Sequence, residues 1–208
     1  MNLKELDLGE CGINDDGLQA LAEGVANHCE ELNLYCNGSI TATGLRLSHL
    51  SHALQSESCR LQRLSLNGMD FGDDGAEALA DGLAGNQSLR CLHFDNADTN
   101  LPMTPIGWSA FSTVLCDTSS INNTYLSNHT IELSWDDGYE DVDEDEDIDE
   151  GRALVYARLN KEHPHAASAR CKILMSHPHL DMKTFLRWDL KFLPLVVACS
   201  KVRSHVQR

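Results

Sequence analysis

The sequence predicts an α/β solenoid of about five strand–helix repeats, followed by a helical C-terminal cap. Three observations predict it. A leucine pattern recurs along residues 1–133, apolar residues at helical spacing follow most copies, and residues 134–150 switch to an acidic run ahead of a helical segment at 151–208. Hydrophobic residues make up 42% of the 208, enough to bury a core, so wholesale disorder is excluded. No apolar run approaches the roughly 20 residues of a membrane span. The best stretch, Phe192 to Cys199, contains Pro194.

The strands come first. Leu3-x-x-Leu6-x-Leu8-x-x-Cys11-x-Ile13-x-x-x-Gly17 recurs as Leu61-x-x-Leu64-x-Leu66-x-x-Met69-x-Phe71-x-x-x-Gly75. Between them lies Cys29-x-x-Leu32-x-Leu34-x-x-Asn37-x-x-Ile40-x-x-x-Gly44, with one extra residue in its turn. A fourth copy runs through Leu89, Leu92, Phe94 and Ala97 to Ile106 and Gly107, with an insertion around Asp98 to Leu101. A fifth, degraded copy is expected at Ile121, Thr124, Leu126, His129 and Ile131, which gives starts at 3, 29, 61, 89 and 121. Period-two leucines bury one face of a short strand, and a spacing of this size marks stacked repeats.

The helices follow. Leu18, Leu21, Ala22 and Val25 form one apolar stripe, Ala76, Leu79, Ala80 and Leu83 a second, and Trp108, Phe111, Val114 and Leu115 a third. Helix starts are marked three residues before the shared glycine by Asn14, Thr41, Gly72 and Thr104, the last followed by Pro105. Asn and Thr side chains satisfy free amides at a helix start, and proline suits the first helical position. A single copy has no second layer on which to bury its stripe, so stacked neighbours must make the core.

These copies resemble leucine-rich repeats of the ribonuclease-inhibitor-like subfamily, with a strand, a Cys or Asn turn, a glycine and a full helix in each. The resemblance covers residues 2 to about 133, about two-thirds of the chain. It implies a horseshoe arc with a parallel sheet on the concave face and helices outside. It also implies a scaffold that binds protein partners, since architecture says little about chemistry. The first repeat starts at residue 3 with no polar capping element before it. That leaves an open strand edge, as expected of a fragment of a longer array or of a strand paired with something else.

In this family the residues alternating with the strand leucines face the concave side. Carried over, they are Glu5, Asp7 and Gly9; Glu31, Asn33 and Tyr35; Arg63, Ser65 and Asn67; Cys91, His93 and Asp95; and Asn123, Tyr125 and Ser127. The candidate partner-binding set drawn from them is Asp7, Asn33, Tyr35, Arg63, Asn67, His93, Asp95 and Tyr125, polar and mildly acidic with a tyrosine near each end. No catalytic residue, metal or cofactor is expected.

Charge divides the chain into three zones. Residues 1–135 hold 18 acids and 5 bases, 136–150 hold 11 acids and no base, and 151–208 hold 3 acids and 11 bases. Bulk nucleic-acid binding needs a basic surface, which only the last zone offers. The acidic run should be extended and solvated by self-repulsion, either as a solubilising loop or as a site for a basic protein. Asp143, Asp145 and Asp147 alternate as calcium ligands do, but a helix–loop–helix calcium site needs Gly where Ile148 stands and Glu where Leu154 stands.

The C-terminal zone reads as helices at Arg152 to Leu159, Ala166 to Met175 and Met182 to about Val202. Their apolar faces suit a cap over the last repeat. Lys183, Arg187, Lys191, Lys201 and Arg203 keep peripheral membrane association open as an alternative. His163-Pro-His165, His177-Pro-His179 and Cys171 match no structural zinc spacing. Each His-Pro-His is expected at a helix start.

The eight cysteines are too sparse for a stapled scaffold. Together with the lack of a secretory leader, they point to reduced thiols and a cytoplasmic or nuclear protein. The four Asn-X-Ser/Thr sequons (Asn37, Asn86, Asn122, Asn128) lie mostly in or beside expected strands and read as chance matches. A GTPase-activating role is the catalytic alternative, because repeats followed by an acidic stretch resemble the layout of the Ran GTPase activator. None of Arg46, Arg60, Arg63 or Arg90 stands in a motif that matches such a role.

Overall fold

The computed structural model describes residues 3–25, 27–37, 44–69, 72–94, 103–134 and 148–179. Strands and helices alternate: β1 (Leu3–Asp7), α1 (Asp15–Val25), β2 (Cys29–Asn33), α2 (Gly44–Gln55), β3 (Arg63–Ser65), α3 (Gly72–Leu83), β4 (Cys91–His93) and α4 (Pro105–Leu115). Then come α5 (Ile121–Leu126), β5 (Glu132–Ser134), α6 (Ile148–Glu162) and α7 (His165–Ser176). The five strands form one parallel sheet in chain order, each paired with the next. The register sets Leu6 beside Leu32, Leu32 beside Leu64, Leu64 beside Leu92 and Leu92 beside Leu133. The repeat leucines therefore stack strand on strand.

One continuous core results. Leu32, Leu34, Leu64, Leu66, Leu92 and Phe94 from the strand segments meet Leu18, Leu50, Leu79, Trp108 and Phe111 from the helices. Each such leucine contributes roughly 1.5–3 kcal/mol by leaving water. Phe94 stacks on Phe111 with ring centroids 5.4 Å apart, and Trp108 tilts against Phe94 at 5.8 Å. At the other end β1 is an edge strand, and Leu3 is left exposed.

Of the four expected helix starts, Asn14 and Thr104 carry caps, Gly72 opens α3, and Thr41 lies outside the described residues. Asn14 Oδ1 accepts from the Gly17 amide at 3.0 Å, and Thr104 caps α4 ahead of Pro105. Asp73, in the first turn of α3, adds a cap across repeats. It accepts from the Thr104 amide, the Thr104 hydroxyl and the Gly107 amide at 2.7–3.0 Å. Burial pushes its carboxyl up, but these hydrogen bonds outweigh that and hold it below the usual range.

The turn after each strand repeats a left-handed residue two positions beyond Leu8, Leu34 and Leu66. Glu10, Cys36 and Gly68 take φ values of 54°, 53° and 67°. Turns of successive repeats bond to one another, as Glu10 N does to Tyr35 O and Cys36 N to Asn67 O, both at 2.9 Å. Cys29 is buried, as expected of a repeat position. Cys11 and Cys36 are exposed, because they belong to turns rather than to the core.

Close helix packing depends on Gly82. A Cβ there would lie 2.8 Å from Ser51 Cα and 3.0 Å from Ser51 O, so α3 rests on the α2 backbone at this point. Gly82→Ala should destabilise by about 1–2 kcal/mol net, overpacking outweighing the gain in helix propensity. Gly24 on α1 has open space around its Cβ position. Gly24→Ala should therefore stabilise by up to about 1 kcal/mol, and urea midpoints of the two variants should move in opposite directions.

The fifth repeat departs from expectation. Ile121 to Leu126 is not a strand but α5, with Ser120 accepting from the Asn123 amide at its start. The fifth strand is β5, six residues further on. Sequons at Asn37, Asn86 and Asn128 are buried and fully engaged by backbone, whereas Asn122 is exposed on α5. Asn86 Oδ1 accepts from Leu89 N at 2.7 Å, and Asn128 Oδ1 from Ile131 N at 3.2 Å. Ile131 is thus the equivalent of Leu89. The pairing of Leu92 with Leu133 means that one residue has been lost between asparagine and strand.

Beyond β5, α6 packs on α4 and β5, and α7 packs on α5 and α6. Lys172 is wholly buried and donates to Leu115 O (2.7 Å), Asn128 O (3.2 Å) and Asn160 Oδ1 (2.7 Å). The first His-Pro-His does start a helix, with Pro164 at the cap of α7. The second ends one: His177 closes α7, and its Nε2 lies 2.9 Å from Thr124 Oγ1. Cys171 departs from the reduced-thiol expectation, being held in a disulfide, while Cys11, Cys29, Cys36, Cys59, Cys91 and Cys116 are free. The Asp98–Leu101 insertion, most of the acidic run and the expected helix from Met182 lie outside the described residues.

Candidate functional site

Because the strands are parallel and in register, the residues between the leucines align across the open face of the sheet. One row runs Glu5, Glu31, Arg63, Cys91 and Glu132; the next runs Asp7, Asn33, Ser65, His93 and Ser134. All are exposed or half-buried. The first row is tied by an ion pair between Arg63 and Glu31. The Arg63 guanidinium holds the Glu31 carboxyl below its ordinary range, and Glu31 in turn raises Arg63. Both are solvated, so this pair orients side chains more than it stabilises the fold.

In the second row Asp7 Oδ1 accepts from Gly9 N at 3.0 Å, and Asn33 Oδ1 from Tyr35 N at 3.1 Å. These bonds close the strand ends into turns. His93 Nε2 lies 3.1 Å from Cys91 Sγ, joining the two rows. Burial pushes the Cys91 thiol up, which disfavours its thiolate.

A third row begins beyond the strands. The Tyr35 ring lies across Gly9, where a Cβ would fall 1.9 Å from Cε1. Glu10 beside it raises the Tyr35 phenol, first by charge and then by hydrogen bonding. Asn67 Oδ1 is buried and has no hydrogen-bond partner among the described residues, leaving an unused acceptor beneath this row.

Of the eight candidate residues, the structure gathers Asp7, Asn33, Tyr35, Arg63, Asn67 and His93 on the open face. Asp95 lies outside the described residues. Tyr125 is a correction: it is on α5, more than half exposed, away from the sheet. Asn123 and Ser127 leave the face with it. Glu132 and Ser134 take their rungs, and the signal for them was the Asn128-x-x-Ile131 echo of Asn86-x-x-Leu89.

Residues 1–22 and 57–80 match the family described as Leucine Rich repeat. Those segments hold β1 with most of α1, and β3 with most of α3. The fold is of the leucine-rich-repeat type. The chain is also similar to NACHT, LRR and PYD domains-containing protein 12 of Mus musculus, 30% identical over 137 residues. The aligned stretch is 62% of this chain but 12% of that protein, so the chain spans a small part of that relative. Leucine-rich-repeat domains generally mediate protein–protein interaction. Among the described residues no helix is long and apolar enough to cross a membrane.

Proposed function

We propose that this chain is a non-catalytic protein-recognition module that binds a protein partner on the concave face of a ribonuclease-inhibitor-like arc. The observation that carries the reading is the register. It aligns Asp7, Asn33, Ser65, His93 and Ser134 beside Glu5, Glu31, Arg63 and Glu132 as two polar rows across five strands. Such rows offer hydrogen-bond donors and acceptors at strand spacing on a rigid support, which suits recognition of a folded surface. Four carboxylates (Glu5, Asp7, Glu31, Glu132) stand against one guanidinium, favouring a partner with a basic patch. A full helix behind nearly every strand supports the subfamily reading. In this reading α6 and α7 act as the cap that covers the end of the core.

The test is affinity capture from cell extract by the intact chain and by an Asn33→Arg/Ser65→Arg variant. Both positions are half-exposed, so the fold should hold to within about 0.5 kcal/mol at each. The variant should lose at least about tenfold in recovered partner, equivalent to 1.4 kcal/mol, whereas Tyr125→Ala should recover it fully. Undiminished capture by the double variant would remove the concave face from consideration.

A further inference from the structure

On the helical side a groove of about 900 Å³ runs between α3, α4 and α5. An apolar strip crosses it, in which Ile106, Ala110 and Val114 of α4 continue into Leu126 of α5, bordered by Ser109, Thr113 and Ser127. The origin of this strip lies in the composition of α4, Pro-Ile-Gly-Trp-Ser-Ala-Phe-Ser-Thr-Val-Leu, which has no charged residue. Gly107, Trp108, Phe111 and Leu115 face the core. Ile106 and Ala110, at i and i+4, lead outward on a second face, and Val114 at i+8, half-buried against the core, edges the groove. A surface helix ordinarily carries polar residues there, as α3 does with Glu77 and Asp81. Here Ile106 is 61% exposed and Leu126 is 65% exposed.

The walls carry charge of one sign. Glu77 and Asp81 stand on the α3 side and Asp117 at the turn before α5, and none of the described lining residues is basic. An apolar strip with an acidic rim matches one kind of occupant, a helix with an apolar stripe flanked by Lys and Arg. We propose that this groove is a second protein-docking site and that its occupant is a basic amphipathic helix of a partner protein. The apolar stripe lies along Ile106, Val114 and Leu126, and the flanking cations pair with Glu77, Asp81 and Asp117. The site is on the opposite side from the sheet face and stands independently of the reading given to that face.

The experiment uses the full chain and a labelled synthetic peptide with leucines at helical spacing and lysines between them. Its control is the same peptide with glutamate replacing lysine. The lysine peptide should bind and shift the methyl resonances of Ile106, Val114 and Leu126, and the glutamate peptide should not bind. Ile106→Ser/Leu126→Ser should weaken binding about tenfold, as should Glu77→Lys/Asp81→Lys. Asn33→Arg/Ser65→Arg should bind the peptide as wild type does, so failure here and failure of the sheet-face reading are separable. Wild-type affinity in the Ile106→Ser/Leu126→Ser variant, or resonance shifts confined to the acidic run at 136–150, would overturn the proposal by reducing it to bulk charge attraction. Circular dichroism melting of each variant verifies that the outward-facing substitutions leave the fold intact.

Discussion

Replacing Asn128 by alanine should cost about 3–5 kcal/mol of stability, the largest loss expected from any single polar side chain outside the strands. The estimate follows from the bonds removed. Asn128 Nδ2 donates to Leu83 O and Asn86 O, both at 2.9 Å, closing the end of α3. Its Oδ1 accepts from the Thr130 and Ile131 amides at 2.9 and 3.2 Å, turning the chain into β5. The residue is fully buried. Alanine would leave the Asn86 carbonyl and two amides without this partner, Leu83 O keeping its bond from the Asn86 amide, and each unsatisfied group costs roughly 1–3 kcal/mol before relaxation. Asn128→Asp is a sharper probe, since it keeps the acceptor but sets a carboxylate against two carbonyl oxygens. It should be no more stable than alanine at neutral pH. Asn122→Ala, on the exposed side of α5, should change stability by less than about 0.5 kcal/mol. Urea midpoints decide it: a loss below about 1 kcal/mol for Asn128→Ala would mean that solvent reaches these backbone groups.

The same asparagine shows how much of the fold was legible. Leu3, Leu6 and Leu8, and their echoes at 29–34, 61–66 and 89–94, placed four strands to within a residue or two, because a buried strand face must repeat with period two. Asn14 and Thr104 placed two helix starts for an equally local reason. The fifth strand was misplaced because its leucine pattern has decayed: Thr124, Leu126 and Ile131 fit a strand template by chance, and the residue lost after Asn128 hides the true register. Only the carbonyls of Leu83 and Asn86, distant in sequence, identify Asn128 as the repeat asparagine. The candidate face inherited the same error. Seven of its eight residues come from the four legible copies, six of them among the described residues, whereas Tyr125 came from the fifth copy and went with it. Contacts between repeats, such as Asp73 capping α4 and the Gly82 approach to α2, leave no trace in any one copy. The second apolar stripe on α4 was readable as composition, but its exposure depends on where α3 and α5 pack.

Stability should rise with pH between 7 and 8.5, and Lys172→Met should abolish that rise. Burial pulls the Lys172 ammonium down from 10.5 to about 7, with Cys116 nearby opposing the shift. Three oxygens surround the amine, and the Tyr156 ring lies 5.9 Å away, but none of these partners carries the full negative charge that would restore the usual value. Because the folded value lies below the unfolded one, the unfolded chain binds more protons from about 7 to 10.5. Stability is therefore complete above that window and is lost as pH falls through it. Over pH 7 to 8.5 the expected gain is about 1–2 kcal/mol. The other described groups with shifted values act mainly outside this interval. His129, pulled down from 6.5 to about 4 by burial and then by Lys172, loses its contribution only on the acid side of 6.5. Burial raises Cys29, Cys91 and Cys116 above 9.0, so unfolded thiols oppose the trend only near and above that pH. Tyr156, pushed up to about 12 chiefly by burial, acts later still. Methionine fills the lysine volume without an amine. It should flatten the profile and, at pH 8.5, cost about 1–3 kcal/mol, because Leu115 O loses this donor while Asn128 O keeps Asn160 Nδ2 and Asn160 Oδ1 keeps the Ser168 hydroxyl. Urea unfolding at three pH values on both proteins separates the two effects. A slope surviving in Lys172→Met would assign the titration elsewhere, whereas a flat profile with undiminished stability would mean that the amine had only cancelled its own desolvation.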